Sequence, residues 1–86
     1  MKTAIGYPEP DKGFQAFYEC SKWLAESRPS YIRLGQFYFN HLYEQYPVLA
    51  NHVRGRYSVD PFYVDEFVPN FWLFVEEHWG LTELDW

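Results

Sequence analysis

Apolar residues recur at intervals of three to four positions along most of the chain, which is the spacing of one face of an α-helix. The first such stretch predicts a helix over residues 11–27, ended by Pro29 because the residue before a proline avoids helical geometry. We expect Cys20 to be buried in it as a small hydrophobe. The apolar face of this helix consists of Phe14, Phe17, Cys20 or Ser21, and Leu24.

The second stretch predicts a helix over residues 31–45 with Ser30 as its N-cap. Its apolar side chains lie on more than one side, which indicates a central helix with neighbours on two faces. Gly35 lies inside this helix. An interior glycine costs stability, so we expect another segment to approach closely there.

Two shorter helices are expected after the second. Pro47 suits the first position of a helix, and Gly55 suits the left-handed residue after its last turn. A fourth helix is predicted over residues 69–79, with Gly80 as its stop. In the third helix Val48, Leu49 and Val53 are expected to face inward. In the fourth helix one face is shared by Phe71, Trp72, Val75 and Trp79.

Four helical segments without a sustained alternating pattern predict an all-α fold. We expect one small domain over residues 1–86, with an extended lead-in at residues 1–10 and an acidic tail at residues 81–86. The segment at residues 56–68 is rich in β-formers, so a short hairpin is an alternative to an irregular loop there. Asp60 and Pro61 are its turn signal.

The composition is unusually aromatic, with twenty Phe, Tyr or Trp residues among 86. A domain of this size cannot bury twenty rings, so several must be exposed. A single cysteine excludes an intrachain disulfide, and no apolar run approaches the ~20 residues of a membrane span. The first residues do not have the pattern of a signal peptide. We therefore expect a cytoplasmic protein that is not inserted in a membrane.

Charge is distributed unevenly along the chain. Residues 28–56 hold four Arg and one acid, whereas residues 57–86 hold seven acids and no Lys or Arg. The arginines either pair with this acidic last third and hold the domain together, or give the molecule an electrostatic polarity that orients a partner. The net charge of −5 and the pI near 5.0 argue against a nucleic-acid-binding surface.

Residues with catalytic or metal-binding chemistry form no recognisable motif. His41, His52 and His78 lack the spacing of metal ligands, and no cysteine pair accompanies them. Glu76 and Glu77 are adjacent, so on a helix they point about 100° apart and do not share one proton. No glycine-rich phosphate loop or nucleophile elbow is present. We expect no metal, no cofactor and no enzymatic activity.

Polar residues also interrupt the second helix. Arg33, Gln36 and Asn40 form a polar stripe along one of its sides. We expect Arg33 to pair with Asp60 or Asp65 and to hold the irregular segment on the helical core. If that pair is buried, removing one partner costs about 3–5 kcal/mol.

Some of the aromatic residues are expected in the core and others at a partner. Phe62, Phe67, Phe71, Trp72 and Val75 are predicted to complete the core. Exposed Tyr and Trp beside charged groups are typical of recognition surfaces. The residues predicted to bind a partner are Tyr57, Tyr63, Trp79, Trp86, Glu76 and Glu77.

A longer pattern spans residues 33–79. It consists of RLGQ at residues 33–36, Asn40, Leu42, Pro47, Leu49-Ala50, Val53, DPFY at residues 60–63, Asp65, and FW…HW ending at Trp79. This pattern resembles one in small uncharacterised proteins of phages and prophages. The resemblance implies a phage-encoded accessory protein that acts in the cytoplasm of a bacterial host.

The leading functional hypothesis is a non-enzymatic phage accessory protein that binds a host protein and modulates or inhibits it, for example as an anti-defence factor. One alternative is a nucleic-acid-associated factor that uses the arginine-rich middle, residues 28–56. Another is a homodimer or larger homo-oligomer formed through exposed aromatic residues. The acidic last third could also imitate a nucleic-acid backbone.

Overall fold

The computed structural model describes residues 13–80 of the chain, and its regular structure there is entirely helical. The helices are α1 (Phe14–Ala25), α2 (Leu34–Gln45), α3 (Pro47–Val53) and α4 (Val68–Glu77), with a 3-10 turn at Asp65–Phe67. The all-α prediction is confirmed. The hairpin alternative at residues 56–68 is wrong, because that segment consists of turns followed by the 3-10 turn. The predicted lead-in and tail lie outside the described residues.

The connection between α1 and α2 differs from the prediction. Helix α2 begins at Leu34 rather than at residue 31. Its N-cap residue is Arg33, whose side chain makes no capping hydrogen bond. Residues 30–32 form a turn in which the Ile32 amide donates to the Pro29 carbonyl at 3.0 Å. The Arg28 guanidinium closes this connection by donating to the carbonyls of Ala25 and Ile32 at 2.8 and 3.0 Å.

The later helix boundaries follow the predicted signals closely. Pro47 opens α3, and Gly55 has a positive φ of 73° after the end of that helix. Gly80 has a positive φ of 82° beyond α4. Both glycines therefore adopt the left-handed conformation that side chains disfavour.

Helix α2 is the centre of the fold, as its two-sided apolar pattern predicts. It packs against α1, α3 and the 3-10 turn. A continuous core of rings and aliphatic side chains joins the four helices. The buried apolar residues are Ala25, Tyr38, Phe39, Leu42, Leu49, Ala50, Val53, Phe71, Trp72 and Val75, with Phe62 packed against them.

The expectation that Cys20 is buried is wrong. Its side chain is exposed, and Ser21 is fully buried in its place. Neighbouring helical residues point about 100° apart, so only one of the two can face the core. Ser21 can be buried because its hydroxyl donates to the Phe17 carbonyl at 2.8 Å.

Candidate functional site

The segment after α3 is held in place by Asp60 and Arg33. Asp60 accepts hydrogen bonds from the Gly55 amide at 2.6 Å and the Phe62 amide at 2.9 Å, so its carboxylate closes its own loop. The Arg33 guanidinium donates to the Phe62 carbonyl across 29 positions of sequence. Residues 60–62 are thereby fixed against the start of α2.

Of the two predicted partners of Arg33, the structure pairs it with Asp65, and the pair is half-exposed instead of buried. Arg33 Nε lies 3.8 Å from Asp65 Oδ1, and about half of each side chain is exposed. An exposed pair of this kind contributes about 0–1 kcal/mol. Of the other two polar residues of α2, Gln36 is half-buried and Asn40 is exposed.

Residues from three segments form one continuous surface of rings and a guanidinium. We call it the aromatic–arginine surface; it consists of Phe39 and Tyr43 on α2, Arg54 after α3, and Phe62 and Tyr63. Tyr43 stacks on Phe39 with ring centroids 6.4 Å apart. Phe62 meets Phe39 edge-on at 5.7 Å and contacts the Tyr63 ring at 4.8 Å.

Arg54 joins this surface from the side. Its guanidinium carbon lies 5.3 Å from the centroid of Phe39 and 5.4 Å from that of Tyr43, within the range of cation–π attraction. A small cavity of about 120 Å³ opens between Arg54, Phe62 and Tyr63. A cavity of this volume is smaller than a drug-sized pocket, so it suits a single side chain of a partner.

The exposure of these residues is graded from the core outward. Phe39 is 3% exposed, Tyr43 is 43% exposed and Tyr63 is 79% exposed. Tyr43 therefore rests directly on a core ring, whereas Tyr63 is linked to that ring through half-buried Phe62. Such support fixes the orientation of the outer rings before a partner arrives, which lowers the entropy cost of binding.

The other aromatic residues predicted to bind a partner do not join this surface. Tyr57 is 87% exposed, but its ring contacts Phe67 at 5.9 Å. Phe67 is half-buried and is absent from the buried core, although it was predicted there. Trp86 lies outside the described residues.

The prediction that Trp79 is exposed is wrong. The residue is half-buried, and its indole lies among three other rings. The centroids of Phe14, Phe17 and Tyr46 are 5.5, 5.4 and 5.4 Å from that of Trp79. The ring thus packs at the end of the helical core between α1 and Tyr46, and only part of its surface is exposed.

The two glutamates predicted to contact a partner are exposed on α4. Only Glu76 lines a groove, which lies between α1 and α4. Glu77 is exposed beside it without lining that groove. The two acids are therefore neighbours on α4 of which only Glu76 lines the groove, and neither belongs to the aromatic–arginine surface.

A buried Ser–His hydrogen bond was missed by the sequence reasoning. Ser21 Oγ lies 2.9 Å from His41 Nδ1, and the imidazole stacks on Phe17 at a centroid distance of 5.1 Å. Burial lowers the pKa of His41, and the Glu44 carboxylate opposes this effect. Because the Ser21 hydroxyl is fully buried and also donates to a backbone carbonyl, this pair is a structural contact of the core.

The arginines are held mainly by groups other than carboxylates. Arg28 binds two backbone carbonyls, and Arg56 binds the His52 carbonyl and lies 4.9 Å from the Phe74 ring. Between residues 13 and 80, Arg33 alone makes an ion pair with an acid. Within the described part of the acidic last third, residues 57–80, the interpretation that the arginines pair with its acids is therefore correct for Arg33 only.

Two further classes of site are absent from the part of the chain that the structure describes. No group of three or more His, Cys, Asp or Glu side chains there is placed to hold a metal ion. No helix among residues 13–80 is long and apolar enough to cross a membrane. The chain matches no known protein-family model, no curated protein and no solved structure.

Proposed function

We propose that this chain is a non-catalytic protein-binding module, encoded by a phage or prophage, that modulates a host protein in the bacterial cytoplasm by occupying part of its surface. The observation that carries the proposal is the aromatic–arginine surface. Exposed Tyr and Arg residues are the side chains that most often dominate the free energy of protein–protein binding.

The packing of this surface also supports the proposal. Tyr43 is supported by the core ring of Phe39, Tyr63 contacts the half-buried ring of Phe62, and Arg54 makes two ring contacts. These side chains lose little further rotamer freedom when a partner covers them, so more of the contact energy is left for affinity. Such rigid aromatic anchors are characteristic of binding surfaces.

The charge of the surface favours a particular partner. Arg54 supplies a cation, whereas the Asp60 carboxylate beside it already accepts two backbone hydrogen bonds. A partner that presents a carboxylate next to an apolar or aromatic side chain would complement both the guanidinium and the rings. We therefore propose an acidic, partly apolar patch of a host protein as the binding partner.

A comparative pull-down from host-bacterial lysate tests the proposal. The wild-type protein is compared with Tyr63→Ala, Arg54→Ala and the control Tyr31→Ala, which removes an equally exposed tyrosine outside this surface. We expect one host protein to remain on the wild type and on Tyr31→Ala after nuclease treatment and a wash at about 0.5 M salt. Tyr63→Ala and Arg54→Ala should each lower its retention about tenfold or more.

The same experiment separates the alternatives. Retention that disappears after nuclease treatment or at high salt would support the nucleic-acid alternative, in which Arg54 and the tyrosines contact phosphates and bases. A dimer mass in light scattering that Tyr63→Ala converts to a monomer would support self-association. Equal retention of the host protein by all variants would refute this surface as the binding site.

A further inference from the structure

A second apolar depression lies between α1 and α4, and we call it the α1–α4 groove. It has a volume of about 560 Å³, within the range of about 300–1,000 Å³ that is usual for ligand-binding clefts. Phe14 and Tyr18 form its α1 wall, and Pro69, Trp72 and Leu73 form most of its α4 wall. None of its lining residues belongs to the aromatic–arginine surface.

The floor of the groove is built from rings that support each other. Trp72 meets Tyr18 edge-on at a centroid distance of 5.0 Å and Phe14 at 6.0 Å. Trp72 is only 8% exposed, so this floor is continuous with the core. Leu73, by contrast, is 58% exposed at the edge of the groove. An apolar side chain placed over the floor would bury both Leu73 and the ring faces.

The shape of the groove selects a helix as its occupant. Both walls are helices, whose backbone groups bond within the helix and offer no strand edge for an added β-strand. The ten residues of α4 extend over about 15 Å, which matches about three turns of a second helix. Side chains at positions i, i+4 and i+7 of that helix would fill the groove.

The charges around the groove select the polar chemistry of that helix. Glu76 lines the α4 wall, and its side chain makes no ion pair with residues 13–80. On the α1 side, Glu19 is held at 2.8 Å by Gln15, a lining residue. Among residues 13–80 the cation on the α1 side is Lys22, whose ammonium lies 5.1 Å from the Tyr18 ring and does not line the groove. Glu76 is the charged residue among the described lining residues, so a basic residue on the occupant would be attracted to it.

We propose that the α1–α4 groove is a second docking site, which takes an amphipathic helix of a partner protein that carries a Lys or Arg beside its apolar face. This inference is independent of the partner of the aromatic–arginine surface. With two separate sites, the protein could hold two partners at once.

Two synthetic helical peptides of about 18 residues, long enough to be helical in water, test this proposal. Both have the same leucine face, but one carries Lys and the other Glu beside it. Binding is measured by fluorescence anisotropy at low salt, and the contacted residues are mapped by amide shifts in NMR spectra. We expect the Leu/Lys peptide to bind more tightly and to shift amides of residues 14–18 and 68–76.

Four substitutions at three positions make the test specific. Leu73→Asp should weaken binding of the Leu/Lys peptide about tenfold, and Leu73→Ala repeats the test without a new charge. Glu76→Lys should change the preference toward the Leu/Glu peptide by about two- to fivefold. Glu77→Lys is the matched control, because it makes the same change in net charge at a neighbouring exposed residue outside the groove. It should leave the preference unchanged.

Several results would overturn the proposal. One is the absence of binding by either peptide at about millimolar concentration. Another is an equal response of Glu76→Lys and Glu77→Lys, which would indicate attraction to the net charge alone. A third is a wild-type dimer that Leu73→Asp dissociates while neither peptide binds, because a second copy would then cover the groove. Tyr63→Ala should bind the peptides normally, which keeps this test separate from that of the proposed function.

Discussion

Gly35 is the residue at which the packing of α2 is tightest. A Cβ atom there would lie well inside van der Waals contact of the Pro61 carbonyl oxygen and 3.0 Å from Asp65 Oδ1. The backbone itself forms part of this contact, so a side-chain rotation cannot relieve it. The prediction that this glycine permits close approach is confirmed, and the approaching segment is the loop before the 3-10 turn.

Gly35→Ala should therefore lower the free energy of unfolding by about 1–3 kcal/mol, the usual cost of overpacking. In an uncrowded helix the same substitution would raise stability by about 1 kcal/mol, so the sign of the effect is diagnostic. Urea unfolding measures it, with Asn40→Ala as the control at an exposed position of the same helix, expected within about 0.5 kcal/mol of wild type. A more stable Gly35→Ala protein would contradict the contact with Pro61.

His41 makes the stability of the fold depend on pH. Burial lowers the pKa of its imidazole below the ordinary value of 6.5, so the folded protein favours the neutral ring. As the pH falls below 6.5, His41 binds a proton in the unfolded chain but stays neutral in the folded protein. The stability that the neutral His41 ring contributes to the free energy of unfolding is therefore fully present above about pH 6.5. It is lost as the pH falls through the lowered pKa of the folded protein.

We expect the free energy of unfolding, measured in urea, to fall between about pH 7.5 and about pH 5.5. His41→Gln should remove much of this dependence, because glutamine does not titrate. Asn40→Gln, at the adjacent exposed position, introduces no titratable group and should retain the wild-type dependence. The same pH dependence in His41→Gln as in the wild type would show that other groups cause it.

At the scale of elements, the start of α2 is stabilised by a residue far along the chain. Asp65 Oδ1 accepts a hydrogen bond from the Gly35 amide at 3.0 Å, across 30 positions. This amide belongs to the first turn of α2, where backbone donors have no partner within the helix. Asp65 therefore performs the role that Ser30 was predicted to have, and it also connects the 3-10 turn to the central helix.

Asp65→Ala should lower the free energy of unfolding by about 1–2 kcal/mol, because a helix donor loses its partner and an exposed ion pair is removed. Asp65→Asn keeps an oxygen acceptor and should cost less. Glu66→Ala is the control at the neighbouring exposed carboxylate. Thermal and urea unfolding measure all three. A loss of about 3–5 kcal/mol in Asp65→Ala would instead be the cost of breaking a buried ion pair and would contradict the exposed pair of the structure.

These elements show which parts of the fold can be read from sequence. The helices follow from local apolar spacing, and their ends at Gly55 and Gly80 follow from local backbone chemistry. The cap of α2 could not be predicted, because its acceptor comes from a distant turn. Cys20 and Ser21 point about 100° apart on α1, so the apolar spacing alone did not determine which of the two faces the core.

The candidate site was predictable only in part, for the same reason. Tyr63 was expected to be exposed, and it is. Phe39 and Tyr43 are four residues apart on a helix, so their stacking could have been anticipated. The position of Arg54 over both rings depends on how α3 returns against α2. The burial of Trp79 likewise depends on rings from α1 that no local pattern places beside it.

At the scale of the whole molecule, the described residues 13–80 balance their charges through few ion pairs. Among residues 13–80 the arginines bind mostly carbonyls and rings, and Arg33 with Asp65 is the single carboxylate pair. The net charge is −5, and exposed acids such as Glu76 and Glu77 lie next to each other on α4. Repulsion among the acids should therefore outweigh the attraction that salt can screen.

Sodium chloride should accordingly leave the melting temperature unchanged or raise it. Between about 0.02 M and about 0.5 M salt, screening removes repulsion among the acids but little attraction. Calorimetry or circular dichroism measures the change in melting temperature. Sodium sulfate is not used, because sulfate ions are excluded from the protein surface and thereby strengthen the burial of apolar groups. A double variant, Glu76→Gln with Glu77→Gln, should show a smaller rise because it starts with less repulsion. A fall of more than about 3 °C in the wild type would mean that ion pairs with the acidic last third do hold the domain together, contrary to the bonding of its arginines.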